Sequence, residues 1–187
     1  MIELKTRGLD MQDSQRGFTL LELMVALSII AILVAVVGPN VVHKIQVGKQ
    51  VGTMEDMRAI ASACLEYIAE NNEAPAAGVQ DGPLEEQSAF VHALTEKLLA
   101  KCPIKDKWGN PFIVYSGAAV AHFGGFSEGT AGRTDFIIVS LGRKGQDEHF
   151  IFEPANREAG IFESKTMADF DKNLVNWNGT WIRAPKT

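Results

Sequence analysis

The sequence predicts an α+β protein: one long N-terminal helix, half apolar and half amphipathic, packed on a small antiparallel β-sheet. Three observations predict it. The stretch Phe18–Val42 is apolar apart from one charge, Glu22. Beyond it, Ile45, Val51, Met54, Met57, Ile60, Ala61, Cys64 and Ile68 recur at three- and four-residue spacings, with Glu55, Asp56, Arg58, Ser62, Glu66 and Glu70 off that stripe. From Trp108 onward, short β-branched and aromatic runs bounded by turn residues replace the helical period.

Residues 1–17 are polar and aperiodic, with side chains (Glu3, Lys5, Arg7, Asp10, Asp13, Arg16) that sum to zero charge. They are expected to be disordered. The apolar stretch, about 25 residues at ~1.5 Å rise each, exceeds the ~30 Å hydrocarbon core of a bilayer. A carboxylate inside a membrane costs about 2.5–3.5 kcal/mol at the helix centre, so Glu22 needs a partner or a task. One turn into the helix it also meets the positive end of the macrodipole. Gly38 and Pro39 mark a weak point: proline removes a backbone donor and clashes with the preceding turn. A single helix from about Thr19 to Glu70 fits the pattern.

Asn71–Gly78 is rich in turn formers and ends that helix. Asp81-Gly82-Pro83 reads as the entry to a second helix, with Pro83 in its first turn and Phe90, Val91, Leu94, Leu98 and Leu99 on its buried face. It stops near Lys101, ahead of Pro103. Pro111–Tyr115, Asp135–Val139 and His149–Phe152 read as strands, and Gly117–Thr134, with five glycines, as a long surface loop. Asn178-Gly179 between alternating apolar residues, Val175 to Ile182, predicts a hairpin.

Gly17-Phe18-Thr19-Leu20-Leu21-Glu22, followed by the apolar run and Pro39, resembles the processing site of type IV pilins and of the pseudopilins of type II secretion. That resemblance implies a type IV pilin-like fold, cleavage by a prepilin peptidase between Gly17 and Phe18, and N-methylation of Phe18. It implies three regions: a leader (1–17), a transmembrane and assembly helix (18–42) and a periplasmic globular domain (43–187). It also implies polymerisation into a filament in which Glu22 pairs with the Phe18 amine of a neighbour and Pro39 begins a segment able to lose helicity. Orientation, with the N-terminus cytoplasmic and one pass through the bacterial inner membrane, rests on the same resemblance. Arg16 on one flank against Lys44 and Lys49 on the other does not determine it.

Three further segments favour the major pseudopilins. Lys105–Phe112 is similar to their Asp-Pro-Trp-Gly-Asn-Pro-Tyr segment, Asp135–Gly145 to their Asp-Ile-x-Ser-x-Gly-x-Asp-Gly segment, and Asn176-Trp177 to an Asn-Trp near their C-terminus. The implied function is a structural subunit of a type II secretion pseudopilus. Implied partners are copies of itself, minor pseudopilins, the peptidase, an inner-membrane platform protein and a cytoplasmic ATPase. The alternatives are a type IV pilus pilin and a single-span ligand-binding protein that never polymerises. The resemblance implies calcium as well, with Ser140 and Leu141 at the matching positions and Asp169 or Asp171 for the second acid. Lys144 stands where that family carries Asp, and an ammonium there opposes an ion that takes six to eight oxygens.

Composition excludes other classes. A net charge of −5 argues against a nucleic-acid groove, which relies on clustered Lys and Arg. His43, His92, His122 and His149 are isolated, and no phosphate-binding loop, nucleophile elbow or Cys-x-x-Cys is present, so no enzyme is expected. Cys64 and Cys102, an even pair in an oxidising compartment, permit one disulfide.

Overall fold

The computed structural model describes residues 17–127, 129 and 131–186. The expected leader, apart from Gly17, lies outside the described residues. Helix α1 runs from Leu20 to Asn71, within a residue of the expected span. The chain divides into two compact units, Met1–Val41 and Val42–Thr187. Neither Leu20–Ala35 nor Asn40–Asn71 is by itself long and apolar enough to cross a membrane; the two meet that criterion only as a pair. The backbone remains helical through Gly38 and Pro39.

The second unit carries a six-stranded sheet in the order β1-β2-β3-β5-β6-β4. The strands are β1 (Asp81–Pro83), β2 (Ile113–Ser116), β3 (Phe136–Ser140), β4 (Ile161–Phe162), β5 (Leu174–Trp177) and β6 (Thr180–Pro185). Every pairing is antiparallel except β4 with β6, so the sheet is mixed rather than purely antiparallel. The Asn178-Gly179 turn joins β5 to β6 as expected, and both residues take the positive φ that favours this dipeptide (49° and 82°).

Strand β3 explains the layering. All five of its residues are buried, and alternate side chains enter different cores. Phe136 and Ile138 join Met54, Met57, Ile60 and Cys64 of α1, Phe90 and Leu94, and Phe112, Val114 and Leu174. Ile137 and Val139 join Val120, Phe123, Phe152, Val175 and Ile182 on the opposite face. A strand buried on both faces reads as a continuous apolar run, and Phe-Ile-Ile-Val is one.

Four expectations need correction. Asp81–Pro83 is an edge strand, not a helix start; proline's missing donor is tolerated there. Helix α2 is Ala89–Thr95 only, opened by Ser88, whose Oγ accepts from the Val91 N–H at 3.3 Å. His149–Phe152 is not a strand: His149 has a φ of 52°, and the segment joins the Gly124 carbonyl through the Phe152 N–H at 2.9 Å. Gly117–Thr134 is more than a surface loop, because the 3-10 turn Gly117–His122 buries Ala119 and Val120 and so covers the outer core.

Candidate processing and assembly site

Gly17, Phe18 and Thr19 lie outside the helix and are exposed, so the peptide bond between Gly17 and Phe18 sits in accessible backbone immediately ahead of α1. A Cβ added at Gly17 would meet nothing within 4 Å. Helix entry is fixed by a capping box. Glu22 Oε2 accepts from the Thr19 N–H at 2.9 Å and from the Thr19 hydroxyl at 2.8 Å, while the Glu22 N–H donates to Thr19 Oγ1 at 3.2 Å. The carboxylate is therefore held beside the residue that follows Phe18. Ser28, the next hydroxyl along, turns back onto the Met24 carbonyl at 2.8 Å, which satisfies its polar group inside an apolar stretch.

The apolar side chains that follow are exposed among the described residues. Phe18 is 74% exposed and Leu20 76%, and Leu21, Leu23, Met24, Leu27, Ile29, Ile30, Ile32 and Leu33 are all more than half exposed. Soluble monomers rarely expose contiguous apolar patches beyond a few hundred Å².

In the second unit, two of the three segments that resemble the major pseudopilins, Lys105–Phe112 and Asp135–Gly145, form one structure. Asp106, only 5% exposed, is its hub. Its Oδ1 accepts from the Trp108 and Asn110 N–H groups at 3.0 and 2.9 Å, and its Oδ2 accepts from the Ser140 hydroxyl at 2.8 Å. Asn110 Nδ2 donates to the Gly142 carbonyl at 2.7 Å, so the Trp-Gly-Asn-Pro turn and the end of β3 are tied twice. Gly142 is required here: its φ is 67°, and a Cβ would meet the Phe170 and Lys172 carbonyl oxygens at 2.7 Å.

Helix α1 supplies the dock. Gln46 Oε1 accepts from Trp108 Nε1 at 2.7 Å, Thr53 Oγ1 accepts from the Lys107 N–H at 3.1 Å, and Asp56 pairs with the Lys107 ammonium at 2.6 Å. Gln50 Oε1 accepts from the Ser164 hydroxyl at 3.0 Å. Residues 46, 50, 53 and 56 follow the helical period, so this polar stripe runs alongside the apolar one.

The residues matched to the calcium loop are engaged elsewhere. Ser140 is buried and donates to Asp106. Leu141 packs against the outer core. Asp169 closes a capping box with Thr166, whose N–H and hydroxyl both donate to its Oδ2 at 2.8 Å, and Lys172 donates to its Oδ1 at 2.8 Å. Asp171 accepts from Arg143 Nε at 2.7 Å and Nη2 at 3.0 Å, and its Oδ2 lies 3.0 Å from the Lys144 ammonium. The Lys172 hydrogen bond, then those from Thr166, hold Asp169 well below the usual carboxylate range. Arg143 first, and Lys144 after it, hold Asp171 below that range. Among the described residues no group of three or more His, Cys, Asp or Glu is arranged to hold a metal ion.

Cys64 and Cys102 are buried free thiols in the same core. Burial, and secondarily Cys102, raises the Cys64 thiol well above its ordinary value; burial pushes Cys102 up to about 11. Thiolate is scarce at both in the folded state.

The prokaryotic N-terminal methylation motif matches residues 12–38. Type II secretion system core protein G of Pseudomonas aeruginosa is 31% identical over 133 residues, covering 64% of this chain and 86% of the relative. The chain belongs to the family of type II secretion system core protein G, the major pseudopilins. The Aeromonas hydrophila protein is 30% identical (66% of this chain, 90% of the relative), and that of Escherichia coli 29% (54% and 72%). No solved structure matches significantly. As a member, the chain is a pseudopilus subunit, of a membrane-anchored and filament-forming kind.

The sequence reading of this pseudopilin missed Thr19, although Thr-x-x-Glu is a capping-box pattern. It also missed Asp106, Gln46, Thr53 and Arg143. An Asp two residues before Trp-Gly-Asn signals a side chain capping its own turn. The α1 contacts are long-range, and nothing local in the sequence reports them.

Proposed function

We propose that the pseudopilin is cut between Gly17 and Phe18, methylated at Phe18 and retained in the inner membrane by residues 18–42, with residues 43–187 periplasmic. Copies then assemble into the type II secretion pseudopilus through that helix. The exposed apolar side chains from Phe18 to Val41 support this reading, because among the described residues nothing covers them. Glu22, fixed at the helix entry, pairs with the Phe18 amine of a neighbouring copy. Pro39 begins the segment that adjusts on packing. Minor pseudopilins, the prepilin peptidase, the platform protein and the secretion ATPase are the partners this role needs, and the chain performs no catalysis itself. Deleting its gene is expected to abolish release of secreted proteins while leaving surface motility intact; the reverse pattern would assign it to a type IV pilus.

Cys64 and Cys102 are free thiols in the structure; in this account the oxidising periplasm joins them as a disulfide, and closing a loop of roughly 40 residues stabilises by about 3–4 kcal/mol. Thiol labelling of the unreduced protein after denaturation is expected to find no free cysteine. Two labelled cysteines per chain would remove the bond from the account.

A further inference from the structure

Resting on the family assignment, we propose that this pseudopilin dispenses with a divalent cation at the loop after β3: Arg143 and Lys144 cross-link the 140–148 segment to Asp171 of the 166–173 segment, and Lys172 neutralises Asp169 within the latter. A calcium site needs six to eight oxygens converging on one point. Here both oxygens of Asp171 face Arg143 and Lys144, and Asp169 is divided between Lys172 and the Thr166 turn. The neighbouring acids are also engaged. Glu148 Oε1 accepts from Arg183 Nε at 2.6 Å and from the Asn173 N–H at 2.9 Å, and Asp147 Oδ1 accepts from the His149 N–H and Asn173 Nδ2.

The backbone is drawn together by the same contacts. The Arg143 N–H donates to the Phe170 carbonyl at 2.7 Å, so the guanidinium that grips Asp171 belongs to a residue already paired with that segment. Asp171 is 15% exposed on its side chain and Arg143 30%, so this bidentate pair is partly shielded from water. A divalent ion placed at Asp171 would have to displace a guanidinium and an ammonium, and would then face both charges at close range. The three cations thus supply the positive charge that an ion would bring, without an affinity constant to satisfy.

The test uses the full chain in detergent micelles, followed by thermal melting and by calorimetric titration with calcium. Wild type is expected to give no binding heat and the same melting temperature in millimolar calcium as in chelator. Asp171→Asn and, separately, Arg143→Gln are each expected to melt roughly 3–8 °C lower, equally in both buffers. A calcium-induced rise in the wild-type melting temperature, or a saturable binding heat, would overturn the proposal. So would unchanged melting of both variants, since the internal clamp would then carry no load. None of these readouts depends on processing or assembly, so their failure is separable from failure of the family role.

Discussion

Glu22→Ala pseudopilin is expected to insert and to be cleaved, yet to form few or no filaments. The carboxylate has two tasks. Within its own chain it closes the capping box on Thr19, and losing a cap costs about 0.5–2 kcal/mol at the helix entry. Between copies, in the proposed role, it would offer a negative charge to the Phe18 amine in a water-poor setting, where a charge-assisted hydrogen bond is worth about 1.5–3 kcal/mol. Losing that bond weakens each association step roughly 10- to 100-fold, and the loss recurs at every subunit added. Glu22→Gln separates the tasks, because glutamine at the same position still closes a capping box. Electron microscopy of overexpressed pseudopili should show both variants failing to assemble. Normal filaments from Glu22→Gln would show that the charge pairing is dispensable.

Gly17→Ala is expected to leave the protein at precursor length. An added Cβ at Gly17 meets nothing within 4 Å, and the residue precedes the helix, so the fold should be unaffected. In the proposed role, any effect would then arise in the peptidase's site. There one extra methyl group is rejected by about 10- to 200-fold when the pocket is shaped for glycine. Immunoblots after a short induction should show precursor accumulating in the membrane fraction. Mature-length chain at the wild-type rate would mean that the cut does not depend on Gly17.

Much of the fold was legible because its signals are local. The helical stripe from Met54 to Cys64, the Phe-Ile-Ile-Val run of β3 and the Asn-Gly turn each announce one structure through residue type and spacing. What escaped depends on distant partners. Asp-Gly-Pro is a strand only because β2 offers it an edge, and Ile161-Phe162 only because β6 runs parallel beside it. Phe150 and Phe152 are apolar because they cover the outer core from a loop, and an apolar loop imitates a strand. At the N-terminus the residues themselves were legible, but Thr19 as Glu22's partner was not recognised. In the outer unit Lys144 signalled trouble for calcium, whereas Arg143 as the main ligand of Asp171 required the folded loop.

The role assigned to this pseudopilin begins with a new N-terminus, so the most direct measurement is the intact mass and N-terminal sequence of the chain recovered from membranes. The account predicts a protein of residues 18–187 that begins with N-methylated Phe18. A chain recovered with Met1 still in place, in cells whose prepilin peptidase is active, would contradict it.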